Sequence, residues 1–93
     1  MSKVTLKGYV IASDEDLPGI RAELPRHIEL TRQEDGCLVF EVVQDPNDKH
    51  RFNVYEEFID KAAFEAHQNR AKASSWWAVS RNLEKHYRIM DGF

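Results

Sequence analysis

The chain has 93 residues, of which 42% are hydrophobic and 11% aromatic, with a net charge of -3 and a single cysteine. That suits one packed domain, residues 1–93, and excludes a disulfide scaffold, a cysteine-rich metal site, a basic nucleic-acid-binding block and an apolar run of the roughly 20 residues that span a bilayer. The lone thiol, and a start ("MSKVTLKGYVIAS") without a signal peptide's long apolar region and cleavage site, point to the cytoplasm.

Val4 to Ala12 ("VTLKGYVIA") is rich in β-branched and aromatic residues and predicts a first strand. Gly8 within it marks a bulge or a close approach by another group. Leu17, Ile20, Leu24, Ile28 and Thr31 recur at helical spacing, so a helix follows. Pro25 lies inside that helix, where a proline removes a hydrogen bond, and predicts a kink or two short helices. "EDG" ends the element, with Gly36 expected just beyond its last turn.

Cys37 to Val43 ("CLVFEVV") is a second strand and Arg51 to Phe58 ("RFNVYEEF") a third. The turn chemistry of "QDPNDKH" joins them as an antiparallel hairpin, not as a metal loop, since too few ligands converge there. Asp60 caps a helix to about Gln68, "NRAKASS" breaks or bends it, and Ser74 or Ser75 opens another helical stretch through Trp76, Val79 and Leu83. Tyr87 to Met90 closes the chain as a last strand.

The order β-α-β-β-α-α-β predicts a ferredoxin-like split βαβ α+β fold, with a four-stranded antiparallel sheet and helices on one face. Alternation along the second strand places Leu38, Phe40 and Val42 on one side and Cys37, Val39, Glu41 and Val43 on the other. Both sides are largely apolar, so the face away from the helices is expected to meet a second copy of the chain.

"EDGCLVFEV", "QDP", "YEEFIDKAAFEAH" and "SSWW", in this element order, resemble the antibiotic biosynthesis monooxygenase family. The resemblance covers essentially the whole chain. It implies a homodimeric α/β barrel with a pocket between sheet and helices in each subunit. It also implies oxidation of electron-rich aromatics by O₂ with no cofactor and no metal, and it extends to haem-degrading enzymes and a signal-molecule isomerase. The haem-degrading branch carries an asparagine on the first strand, which "VTLKGYVIA" lacks; His67 stands near that branch's tryptophan, and "SSWW" where its histidine ligand would be.

Glu56 alternates with Val54 and Phe58, apolar company that asks for a partner or a raised pKa. His67 follows Phe64 by three and shares its helix face. His27 falls at the edge of the first helix's buried face. Glu56 is therefore expected to meet His67 or His27 and orient one imidazole as a base. Phe40, Phe64, Tyr55, Trp76 and Trp77 are the expected substrate-binding residues, although Tyr55 alternates to the side opposite Glu56. Such a site fits a monooxygenase acting on a small phenolic or quinol-type substrate. It equally fits an isomerase of a small hydroxy-carbonyl compound or a non-catalytic ligand-binding module.

Overall fold

The structure is a computed structural model that describes residues 3–90. Its elements in chain order are β1 (Val4–Ile11), α1 (Leu17–Arg32), β2 (Cys37–Gln44), β3 (Arg51–Phe58), α2 (Lys61–Lys72), α3 (Ser75–Ser80) and β4 (Glu84–Met90). The strands form one sheet in the order β2-β3-β1-β4, and every neighbouring pair is antiparallel. This is the ferredoxin-like α+β arrangement.

Strict alternation builds the inner layer. On β3, Phe52, Val54, Glu56 and Phe58 are buried, and on β1 so are Val4, Leu6 and Val10. Leu17, Ile20 and Leu24 of α1 pack onto that layer. The buried stripe of α1 continues through His27 and Thr31, so spacings of three and four alternate along it. His27 thus sits within the stripe, not at its edge, and Ile28 is only half-buried.

Several local expectations are revised. Of the two alternatives at Pro25, two short helices are not found: α1 runs through the proline as one element, because the stripe is anchored on both sides of it and its packing outweighs one missing backbone bond. Gly36 is not the residue after the helix: α1 ends at Arg32, capped by Gln33, and Gly36 lies in the turn that enters β2 with φ +87°. Helix α2 extends beyond Gln68 to Lys72, with the Asp60 carboxylate accepting a 2.8 Å bond from the Ala63 amide as its N-cap. Strand β4 starts at Glu84, three residues before Tyr87.

The register of β2 shifts between Cys37 and Val39. Cys37 pairs with Phe58 and therefore shares its helix-facing side, contrary to strict alternation, while Leu38 is left exposed at the irregularity. Gly8 answers a close approach: a Cβ there would lie 2.2 Å from the His86 carbonyl of β4. No helix among the described residues is long and apolar enough to cross a membrane.

Candidate functional site

Between the sheet and the helices lies a cavity of about 120 Å³. Strand alternation supplies one wall, with Leu6 and Val10 from β1, Phe40 and Val42 from β2, Val54 and Glu56 from β3, and Lys85 and Tyr87 from β4. The other wall is helical, with His27 from α1, His67 and Lys72 from α2, and Trp76 and Trp77 at the start of α3.

Aromatic rings make up its inner end. The His27 imidazole stacks on Trp76, with centroids 4.6 Å apart and planes 10° apart. Phe40 meets His27 at 5.5 Å and His67 at 5.4 Å, both edge-on. His67 stacks on Phe58 at 5.1 Å. The two imidazoles lie 5.8 Å apart.

Nδ1 of His67 lies 2.9 Å from Oε1 of Glu34, in the turn after α1. Nε of Arg70 donates to the other Glu34 oxygen, and Nη2 of Arg70 donates to the Thr31 hydroxyl at 3.0 Å. That hydroxyl in turn donates to the His27 carbonyl at 2.7 Å. A carboxylate held by a guanidinium is an acceptor, so Nδ1 of His67 carries the hydrogen and Nε2 presents a lone pair. Nε2 has no hydrogen-bond partner among the described residues. Burial holds the pKa of His67 below that of an ordinary histidine, against the pull of the Glu34 charge.

Glu56 is different. It is 7% exposed, and its Oε1 is buried with no hydrogen-bond partner. Burial, helped by the Glu34 charge, raises its pKa to about 8, so at neutral pH it is mostly a protonated acid. Nδ1 of His27 is also buried and unpartnered, and burial, with the charges of His67 and Arg70, pushes that imidazole down to about 3. His27 is therefore neutral at any working pH and a weak base. The site holds an oriented imidazole and a neutral carboxylic acid on facing walls, in aromatic surroundings. Such a pair can take a proton from one atom of a bound molecule and give one to another. Among the described residues, no group of three or more His, Cys, Asp or Glu side chains is placed to hold a metal ion.

Residues 8–78, more than half of the chain, match the model of the antibiotic biosynthesis monooxygenase family. The chain belongs to that family. No sequence among curated proteins matches it. Among solved structures, it is similar to PA3566 from Pseudomonas aeruginosa, with 28% identity, a TM-score of 0.73, and 100% of this chain and 94% of that one covered. It is also similar in fold to candidate antibiotic biosynthesis monooxygenases from Bacteroides thetaiotaomicron (22% identity, TM-score 0.76, 99% and 88% covered) and Nitrosomonas europaea (18%, 0.75, 98% and 88%).

In this family member the expected site residues separate into two groups. His27, Phe40, Glu56, His67, Trp76 and Trp77 all line the cavity. Phe64 does not; its ring packs edge-on against Phe58 at 5.6 Å, behind the cavity wall. Tyr55 lies across the sheet, because alternation on β3 sends it the opposite way from Glu56, and its hydroxyl donates to Glu57. The expected Glu56–imidazole hydrogen bond is absent: His67 is bonded to Glu34, and neither Glu56 Oε1 nor His27 Nδ1 has a partner.

Sequence reasoning missed Glu34 and Arg70. Arg70 carried a local signal, since it follows His67 by three on the same helix face. Glu34 carried none: it is separated from His67 by 33 positions and sits in a stretch that reads only as a helix stop. Lys85 was missed as a lining residue because β4 begins earlier than its apolar residues imply, and Tyr87 because its place on the helix side depends on pairing with β1.

Proposed function

We propose that this protein is a cofactor-independent monooxygenase that oxidises a small phenolic or quinol-type aromatic with O₂. The observation that carries this reading is the Glu34-oriented His67 on one wall of an aromatic cavity whose other wall carries the buried Glu56, its Oε1 without a partner. Nε2 of His67 takes the phenolic proton, and Glu34 stabilises the imidazolium that results. The phenolate ring passes two electrons to O₂ and forms a carbon–oxygen bond, giving a peroxide at a ring carbon that still bears its hydrogen. Glu56 gives its proton to the outer peroxide oxygen. The oxygen–oxygen bond then breaks as the ring hydrogen leaves as a proton, which yields the quinone and one water. The departing water keeps the Glu56 proton and takes one of the two protons the substrate has released, and the other returns to Glu56, so the acid and the base regain their starting states. Phe40 and Trp76 enclose the ring and keep water out. Neutral His27 backs Trp76 by stacking on it and so fixes that ring as part of the wall.

O₂ uptake with a panel of hydroquinones and naphthols tests this, against heat-inactivated protein. His67→Ala is expected to lower kcat about 100-fold or more. Glu34→Gln removes the charge that raises the His67 pKa, so the imidazole resonance of His67 should titrate at lower pH in that variant. Uptake no faster than in the heat-inactivated control sinks the oxygenase reading. Turnover of a hydroxy-carbonyl compound without O₂ would instead favour an isomerase, which the same acid and base also support. Ligand binding with neither reaction would leave a binding module.

We also infer a homodimer formed through the open face of the sheet and, from the lone thiol, a cytoplasmic location that cell fractionation checks.

A further inference from the structure

The charges around the cavity are uneven. Its buried residues are apolar, aromatic or neutral, and its one carboxyl is that of Glu56. The exposed residues on its lining, which define its mouth, are Lys72, Trp77 and Lys85. The mouth therefore presents two ammonium groups and an indole on a chain whose net charge is -3.

Local structure explains both lysines. Lys72 follows Gln68 by four on α2, so the two share the cavity-facing side of the helix. Its amine makes no hydrogen bond or ion pair among the described residues. Lys85 pairs with Val10 across β1 and β4, so its side chain lies on the helix side of the sheet. Its Nζ donates to the Leu83 carbonyl at 3.3 Å, which holds the amine at the rim and leaves two of its three donors unused. Neither lysine is neutralised by a carboxylate of the cavity.

We propose that the molecule bound here is an aromatic acid: its ring lies among Phe40, His67 and Trp76, and its carboxylate meets the amines of Lys72 and Lys85 at the mouth. This deepens the reading of the cavity as a substrate site and rests on it. It orients the substrate as well as selecting it. With the acid group fixed outside, the opposite end of the ring, with its hydroxyl, points inward to His67 and Glu56. Each lysine contact is solvent-exposed and adds modestly, so the pair together gives the acid about a tenfold advantage that salt reduces.

The test compares a hydroxynaphthoic acid with the matching naphthol, by titration calorimetry and by O₂ uptake. The acid is expected to bind about tenfold more tightly than the naphthol. That ratio should collapse toward one in Lys72→Ala/Lys85→Ala and return in Lys72→Arg/Lys85→Arg, with unchanged circular dichroism in both variants. Equal affinity for acid and naphthol overturns the proposal, as does a preference that persists in the alanine pair or a failure of both compounds to bind. Lysine-dependent binding of the acid with no O₂ consumed upholds it and removes the oxygenase reading. Consumption of O₂ with naphthol and acid alike, and no acid preference in binding, does the reverse.

Discussion

Glu56 and His27 are both buried without a partner for one polar atom, and each is held in its neutral form. Their effects on stability have opposite signs. Glu56 titrates near 4.5 when unfolded but near 8 when folded, so the native state keeps a proton that the unfolded chain loses, and stability falls as pH rises between those values. His27 titrates near 6.5 when unfolded and near 3 when folded, so the unfolded chain gains a proton that the native state refuses, and stability falls as pH drops between those values. From pH 4.5 to 6.5 the two slopes cancel. Above 6.5 the Glu56 slope acts alone, on the order of 1 kcal/mol per pH unit up to about 8. Below 4.5 the His27 slope acts alone against an already protonated Glu56, and His67, also lowered by burial, adds a slope of the same sign that begins as pH falls below 6.5. Urea midpoints measured across pH are therefore expected to form a plateau with falling flanks, and Glu56→Gln should flatten the alkaline flank. An alkaline slope identical in the wild type and in Glu56→Gln would show that this carboxyl is not held protonated. The polar member of an apolar stripe was visible in "VYEEF"; its lack of a partner was not, because what faces it arrives from other elements.

At the scale of elements, the turn between α1 and β2 does more than end a helix. It carries Glu34 to His67 and Arg70, and it brings Gly36 against Ile59 and Ala63. A Cβ on Gly36 would lie 2.7 Å from that of Ala63, and the backbone there has φ +87°. The Gly36 carbonyl also accepts a 2.8 Å bond from the Ile59 amide. Gly36→Ala is thus expected to cost about 1–3 kcal/mol, read as a lower urea midpoint with an unchanged m value. A loss below about 0.5 kcal/mol would mean that the turn yields freely. Because the same turn positions Glu34, this substitution should also loosen the carboxylate's hold on His67. Strand and helix identities were legible from periodicity, and the N-cap at Asp60 from its side chain. The register shift at Cys37 was not, since a bulge depends on the partner strand. Nor was the continuity of α1 through Pro25, which rests on packing from outside the helix.

For the molecule as a whole, the open sheet face is the unfinished part. Tyr9 stacks on His86 there at 4.9 Å, and the Arg51 guanidinium sits 3.8 Å over the Tyr9 ring. Val43 is 60% exposed. The face mixes aromatic and aliphatic side chains with Lys7, Arg51, Glu57 and Arg88, so it is more polar than β2 alone predicts. A chain of 93 residues gains burial by covering such a face with its own copy. Sedimentation is expected to find a dimer at micromolar concentration, and Val43→Arg should shift it toward monomer. A monomeric wild type at that concentration would remove the dimer. The sequence by itself determined the order of elements, the sides that face the core and the residues able to line a cavity, because hydrophobic periodicity is local and encodes burial directly. Only the tertiary structure decided that His67 pairs with Glu34, that Glu56 stands alone and that Lys72 and Lys85 share one mouth. Those contacts join elements distant along the chain, and no short-range spacing specifies which side chains meet when a helix settles on a sheet.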